Sequence, residues 1–146
     1  VGLTTQQWVD PTLPAASRML RRGTVGTTHD GRRPKLVARG HAGLGNTVHL
    51  DVRGALPNGA ALVAFGAAAD VDLAPFGAPG NRSYTTLDSL LLLNTDQHGI
   101  ATLSVTVPVA PSLLGAAVSA QAAAVDGTAN AFGFATSNAI DVTTSN

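Results

Sequence analysis

His49 and Asp51 stand two residues apart in the run Thr47-Val48-His49-Leu50-Asp51-Val52-Arg53, so on a strand both side chains share one face. An imidazole beside a carboxylate can act as a weak acid–base pair or supply two ligands to a metal. A metal site needs three or four convergent donors, and the other histidines (His29, His41, His98) fall in loops that the sequence does not bring to this strand. Asp70 and Asp72 repeat the spacing and can hold Ca2+ from one face, although a calcium loop ordinarily supplies more oxygen donors. The plainer reading of the His49 and Asp51 pair is a polar, solvated strand face that alternation demands. No Gly-x-Ser-x-Gly elbow, phosphate loop, dinucleotide fingerprint or His-Glu-x-x-His is present. The chain has no Glu and no Cys, which removes a thiol nucleophile, thiolate zinc sites and the commonest carboxylate of glycoside hydrolysis. Asn81-Arg82-Ser83 is a formal glycosylation sequon and reads as chance. No catalytic residue, cofactor or metal ligand is assigned, and the expectation is a protein that is not an enzyme.

The charges are the next feature. Nine basic and nine acidic residues cancel, but all nine cations lie at or before Arg82, and seven of them fall between Arg18 and Arg39. Residues 1–82 have five carboxylates and so a surplus of four cations, whereas residues 83–146 have four carboxylates and no Lys or Arg. Opposite charge at the two ends suits a head-to-tail association of copies; a basic segment that is solvated, or paired with its own domain, accounts for it equally well. The overall balance argues against a dedicated nucleic-acid binder. The basic cluster also lacks interleaved aromatic rings, which makes it a poor stacking platform for single strands. An anionic partner such as a surface polysaccharide or an acidic protein face stays open.

The elements that carry these residues are β-strands. Val48, Leu50 and Val52 alternate with polar neighbours, and Leu56-Pro57-Asn58-Gly59 is a turn. Strands follow at 60–67, 83–87, 89–94 and 101–107, the last with Leu103, Val105 and Val107 inward. Pro108 and Pro111 end that strand. Residues 68–82 read as a loop rich in Gly and Pro. A strand over 116–125 precedes a closing strand pair over 131–144, with Thr136 to Asn138 interrupting its parity as a bulge or sheet switch. About eight short strands separated by turn residues predict an all-β fold, an antiparallel β-sandwich of immunoglobulin-like or jelly-roll-like pattern.

Residues 1–33 read differently, as an extended N-terminal arm preceding a sandwich domain over 34–146. The arm has no sustained period, carries the only Trp, and admits one short helix around 14–22. Its isolated anchors Trp8, Leu13, Met19 and Leu20, with Arg18, Arg21 and Arg22, are the candidate assembly residues, and the arm is expected to pack on its own domain or on a neighbouring copy.

Length and composition bound the class. A chain of 146 residues suits one domain. The 45% hydrophobic share contains 25 alanines, and aromatics make up only 4%, so the core is expected to be thin, with Phe65, Phe132, Phe134 and Leu90–Leu93 as its large anchors. That leucine run is far short of the ~20 residues of a membrane helix, so no membrane span is expected.

Turn motifs in order carry a resemblance over roughly two thirds of the chain. They are Gly54-Ala55-Leu56-Pro57-Asn58-Gly59 after Val48, then Phe65-Gly66, then Phe76-Gly77-Ala78-Pro79-Gly80. Thr95-Asp96-Gln97-His98-Gly99-Ile100-Ala101 follows, then Val107-Pro108 with Pro111-Ser112-Leu113-Leu114-Gly115, Gln121, and Ser137-Asn138-Ala139-Ile140-Asp141-Val142. In this order they resemble secreted Ala/Gly-rich β-sandwich domains of planctomycete-type bacteria, a mostly uncharacterised group. The Thr-Asp-x-x-Gly-x-Ala turn also recurs in bacterial immunoglobulin-like surface domains. The resemblance implies export and a non-catalytic extracellular or cell-surface role. Members often carry a Cys after the Gly-Ala-Pro-Gly turn, where this chain has Asn81, so the disulfide of such relatives cannot form. A start at Val1 fits a removed signal peptide and equally ordinary removal of Met.

Two functions are expected from these features. The first is a secreted, non-catalytic structural or assembly protein, self-associating through its N-terminal arm into a surface fibre or other extracellular polymer. The second is a monomeric extracellular binding module for carbohydrate or adhesion, with the ligand held by the 68–82 loop.

Overall fold

Alternating side chains and frequent turn residues divide the chain into short strands. The computed structural model describes residues 18–145, which form β1 (Arg18–Arg22), β2 (Lys35–Gly40), β3 (Thr47–Arg53), β4 (Ala60–Gly66) and β5 (Ala68–Asp72). They continue through β6 (Arg82–Thr85), β7 (Ser89–Asn94), β8 (Ala101–Thr106), β9 (Ala117–Val125) and β10 (Phe134–Thr143). A five-stranded antiparallel sheet runs β1-β10-β9-β4-β7 and a three-stranded one runs β2-β3-β8, while β5 and β6 form a separate ribbon. The fold is an antiparallel β-sandwich. No helix among the described residues is long and apolar enough to cross a membrane.

The core lies between the two main sheets. Val48, Leu50 and Val52 of β3 point inward and are buried, opposite Ala61, Val63, Ala120, Ala122 and Ala124 of the larger sheet. A buried alanine removes about one methyl from water, worth ~0.8 kcal/mol, against roughly 2 kcal/mol for Leu or Val. Cohesion therefore leans on a few larger side chains, with Leu36, Val52 and Val63 among the most completely buried.

A polar side chain joins the sheets where β10 is irregular. Its register with β9 shifts between Thr136 and Ala139, so the expected strand pair over 131–144 is one bulged strand. The bulge buries Ser137 and Asn138 completely. Asn138 accepts from the Leu36 N–H at 3.1 Å and donates to the Leu36 carbonyl at 3.0 Å, pairing β2 with the opposite sheet through one carboxamide. Ser137 Oγ accepts from the Ala122 N–H at 2.9 Å, filling a bond that the shifted ladder leaves open.

Three other expectations change. Residues 18–22, at the end of the expected short helix, form β1, because Met19 pairs opposite Val142 and packs against the core. Within the expected 68–82 loop, Ala68–Asp72 forms β5 by pairing with β6, which begins at Arg82, and only residues 73–81 connect them as turns. Leu90, Leu91 and Leu92 were expected as core anchors, yet they are 52%, 44% and 66% exposed, because β7 is the outermost strand of its sheet. Phe132 is likewise 40% exposed.

Candidate functional site

The outer face of the five-stranded sheet divides into a polar half near β1 and an apolar half near β7. On the polar half, Gln121 of β9 accepts from the Tyr84 N–H and donates to the Arg82 carbonyl, each at 2.8 Å, and donates to the Ser137 carbonyl at 2.9 Å. Arg22 of β1 donates through Nε to Asp141 at 2.8 Å, and its terminal nitrogens reach the carbonyls of Ala69 and Tyr84. Its guanidinium also stands 5.3 Å from the Tyr84 ring centroid. These bonds pin the β5–β6 ribbon over the polar half. Hydrogen bonding from Arg22 holds the Asp141 carboxyl below the usual carboxylate range against the opposing effect of burial.

The ribbon overhangs the apolar half without filling it, leaving an open groove of about 560 Å3. Leu62, Ala64, Ala123 and Leu90 line it from the sheet, and Val71, Leu73 and Phe76 from the ribbon and its turn. Phe132 and Phe134 also line it, with ring centroids 5.4 Å apart and planes tilted by 59°. Among the described residues none of the groove-lining side chains is titratable. Beside it, β7 ends its sheet, and Ser89–Asn94 contains no charged residue of the kind that protects an open strand edge. Chemically the arrangement can bury apolar side chains and extend a strand ladder.

The expected site residues are placed as follows. Trp8 and Leu13 lie outside the described residues. In β1, Met19 turns to the core, Leu20 is 57% exposed, Arg18 and Arg21 are exposed, and Arg22 is engaged within its own chain. His49 and Asp51 share a face without meeting: His49 Nδ1 bonds Ser104 Oγ at 2.8 Å. Asp51 accepts from Arg39 Nε at 2.7 Å, Arg39 Nη2 at 3.0 Å and Thr102 at 2.8 Å. The Arg39 hydrogen bonds, foremost, hold its carboxyl at about 2 in spite of burial. Asp70 accepts from Arg82 Nε at 2.6 Å, while the other end of that guanidinium lies 4.0 Å from Asp72, so Arg82 provides the positive charge between them. Among the described residues, no three His, Cys, Asp or Glu side chains are grouped to hold a metal ion.

The sequence matches no family model and no curated protein.

The groove was not anticipated. An uninterrupted leucine run reads as a strand buried on both faces, and nothing local distinguishes it from an edge strand. The signal that could have shown it is apolar Leu62 on the outward parity of β4.

Proposed function

We propose that the chain is a secreted, non-catalytic structural or assembly protein, and that its copies associate by seating residues 1–17 of one copy in the apolar groove of the next. The observation that carries this reading is the open groove beside an unprotected edge strand. Residues 1–17 contain Trp8 and Leu13, which offer matching apolar bulk. The described chain starts at Arg18, which pairs with Thr143 at one end of β10, whereas the groove lies toward Phe134 at the other end. β1 and β7 are also opposite edges of one sheet, which places donor and acceptor on different sides of the molecule. A contact between unlike surfaces repeats from copy to copy, and where the rotation between copies does not close a ring it builds a fibre or other polymer. The extracellular or cell-surface location rests on the resemblance to secreted sandwich domains.

Sedimentation of the full chain and of a chain lacking residues 1–17 tests this. The full chain should form species much heavier than 14.7 kDa, and the shortened one should stay monomeric. Polymers of the shortened chain, or a full chain that stays monomeric at its highest soluble concentration, overturn the reading. The groove volume also lies within the usual range for small-molecule sites, which favours the monomeric binding module as the second reading.

A further inference from the structure

The net charge of zero does not hold at the surface. Among the described residues, every carboxylate except Asp88 and Asp96 lies within 4.0 Å of an Arg or His nitrogen of the same chain. Two of the C-terminal carboxylates are taken up by the N-terminal region in this way, Asp141 by Arg22 and Asp126 by His29. Arg18, Arg21, Arg33 and Lys35 have no ion pair among the described residues, and all four are exposed. The surplus of the basic region therefore faces outward, while two of the four carboxylates of the acidic end are already engaged within the chain.

Three of those four cations converge. Arg21, Arg33 and Lys35 line a second groove of about 330 Å3, whose remaining walls are Gly23, Thr24, Val25 and Pro34. Lys35 also stands directly opposite Arg53 in the β2–β3 register, a like-charge pairing that costs stability and that folding does not require. Arg53 leans toward Asp51 only at 3.5 Å, and Arg39 already holds that carboxylate more closely. Among the described residues no aromatic ring lines the groove, so they offer no platform for nucleobases.

We propose that this groove binds the acid groups of an anionic polysaccharide. The guanidinium groups of Arg21 and Arg33 each present a planar pair of donors to a carboxylate or sulfate, and Lys35 adds a compact charge between like neighbours. Binding neutralises the juxtaposition of Lys35 and Arg53, so it is favourable at the ligand and relieves repulsion within the sheet.

Titration calorimetry on the full chain, with polygalacturonate, dextran sulfate and neutral dextran as probes, tests the proposal. One or both acidic polymers should bind, their ratio showing whether carboxylate or sulfate is preferred, and neutral dextran should not. A variant with R21Q, R33Q and K35Q together should lose at least about tenfold in affinity, and R18Q, an exposed cation outside the groove, less than about twofold. Equal losses in the two variants, binding of neutral dextran, no binding of either acidic polymer, or single-stranded DNA binding as tightly as the glycans would each overturn it. Lys35 is the only lysine, so its acetylation rate in the unaltered protein gives a readout that needs no variant. Saturating acidic glycan should slow that reaction several-fold, and an unchanged rate counts against the groove.

Discussion

Arg22 and Asp141 are 119 residues apart in sequence and form a two-point ion pair, with Nε to Oδ2 at 2.8 Å and Nη2 to Oδ1 at 3.2 Å. The pair joins the basic and acidic ends of one chain, so part of the charge asymmetry is satisfied within the molecule. Arg22 also bonds two carbonyls of the β5–β6 ribbon, and its loss should loosen both the β1–β10 edge and the ribbon.

Arg22→Met should therefore cost about 2 kcal/mol of unfolding free energy, measured with urea. The side chain is 32% exposed, which keeps the cost below the ~3–5 kcal/mol of breaking a fully buried pair. A change under about 0.5 kcal/mol would show that the guanidinium is not pinning the ribbon.

Asn138→Leu keeps the branched shape of the side chain and removes both bonds to Leu36, stranding a buried N–H and a buried carbonyl. The expected loss is about 3 kcal/mol. Faster hydrogen exchange at the Leu36 amide should accompany it, and unchanged exchange would mean that the two sheets stay paired without the carboxamide.

Acid should destabilise the fold over a defined window. Asp51 is held at about 2 by Arg39 above all; Asp126 is held at about 2 by His29 and Thr128, which outweigh the opposing effect of its burial. A carboxyl that binds its proton more weakly when folded stabilises the protein fully above the unfolded value of about 3.9, and that stability is lost as the pH falls toward 2. Each carboxyl contributes about 2 kcal/mol to this fall. Urea midpoints measured from pH 6 to pH 2 should be flat at first and then drop. Asp51→Asn should be less stable at pH 6 and drop less steeply; an equally steep drop would remove Asp51 from the account.

Leu90→Glu places a charge beside the groove on a side chain that is already half exposed. Stability should change by less than about 0.5 kcal/mol, while self-association is abolished. Polymers of this variant would show that assembly uses another surface.

The sandwich was legible where a local pattern decides the outcome. The spans of β3 and β7 follow from alternation or apolar runs between turns, and the bulge in β10 from broken parity at Thr136 to Asn138. β1 and β5 were hidden because neither is apolar enough to announce itself: each is a strand only because a partner edge lies alongside, β10 for one and β6 for the other. The groove was hidden for a related reason, since the exposure of Leu90 and Leu92 depends on sheet order, a long-range property. Alternation marked the face of Asp51 as polar and solvated, yet Asp51 is buried, and the arginines that pair with Asp51 and Asp70 come from the neighbouring strands β2 and β6.

The alanine lining also has a calorimetric consequence. Heat capacity rises on unfolding with newly wetted apolar surface and is lowered by newly wetted peptide groups. Ala61, Ala120, Ala122, Ala124 and Ala135 each expose one methyl but release a whole peptide unit. The increment per residue should fall below the usual ~12–15 cal/mol/K. A small increment flattens the dependence of folding free energy on temperature, so stability should vary less across the thermal range and the cold-unfolding limit should recede.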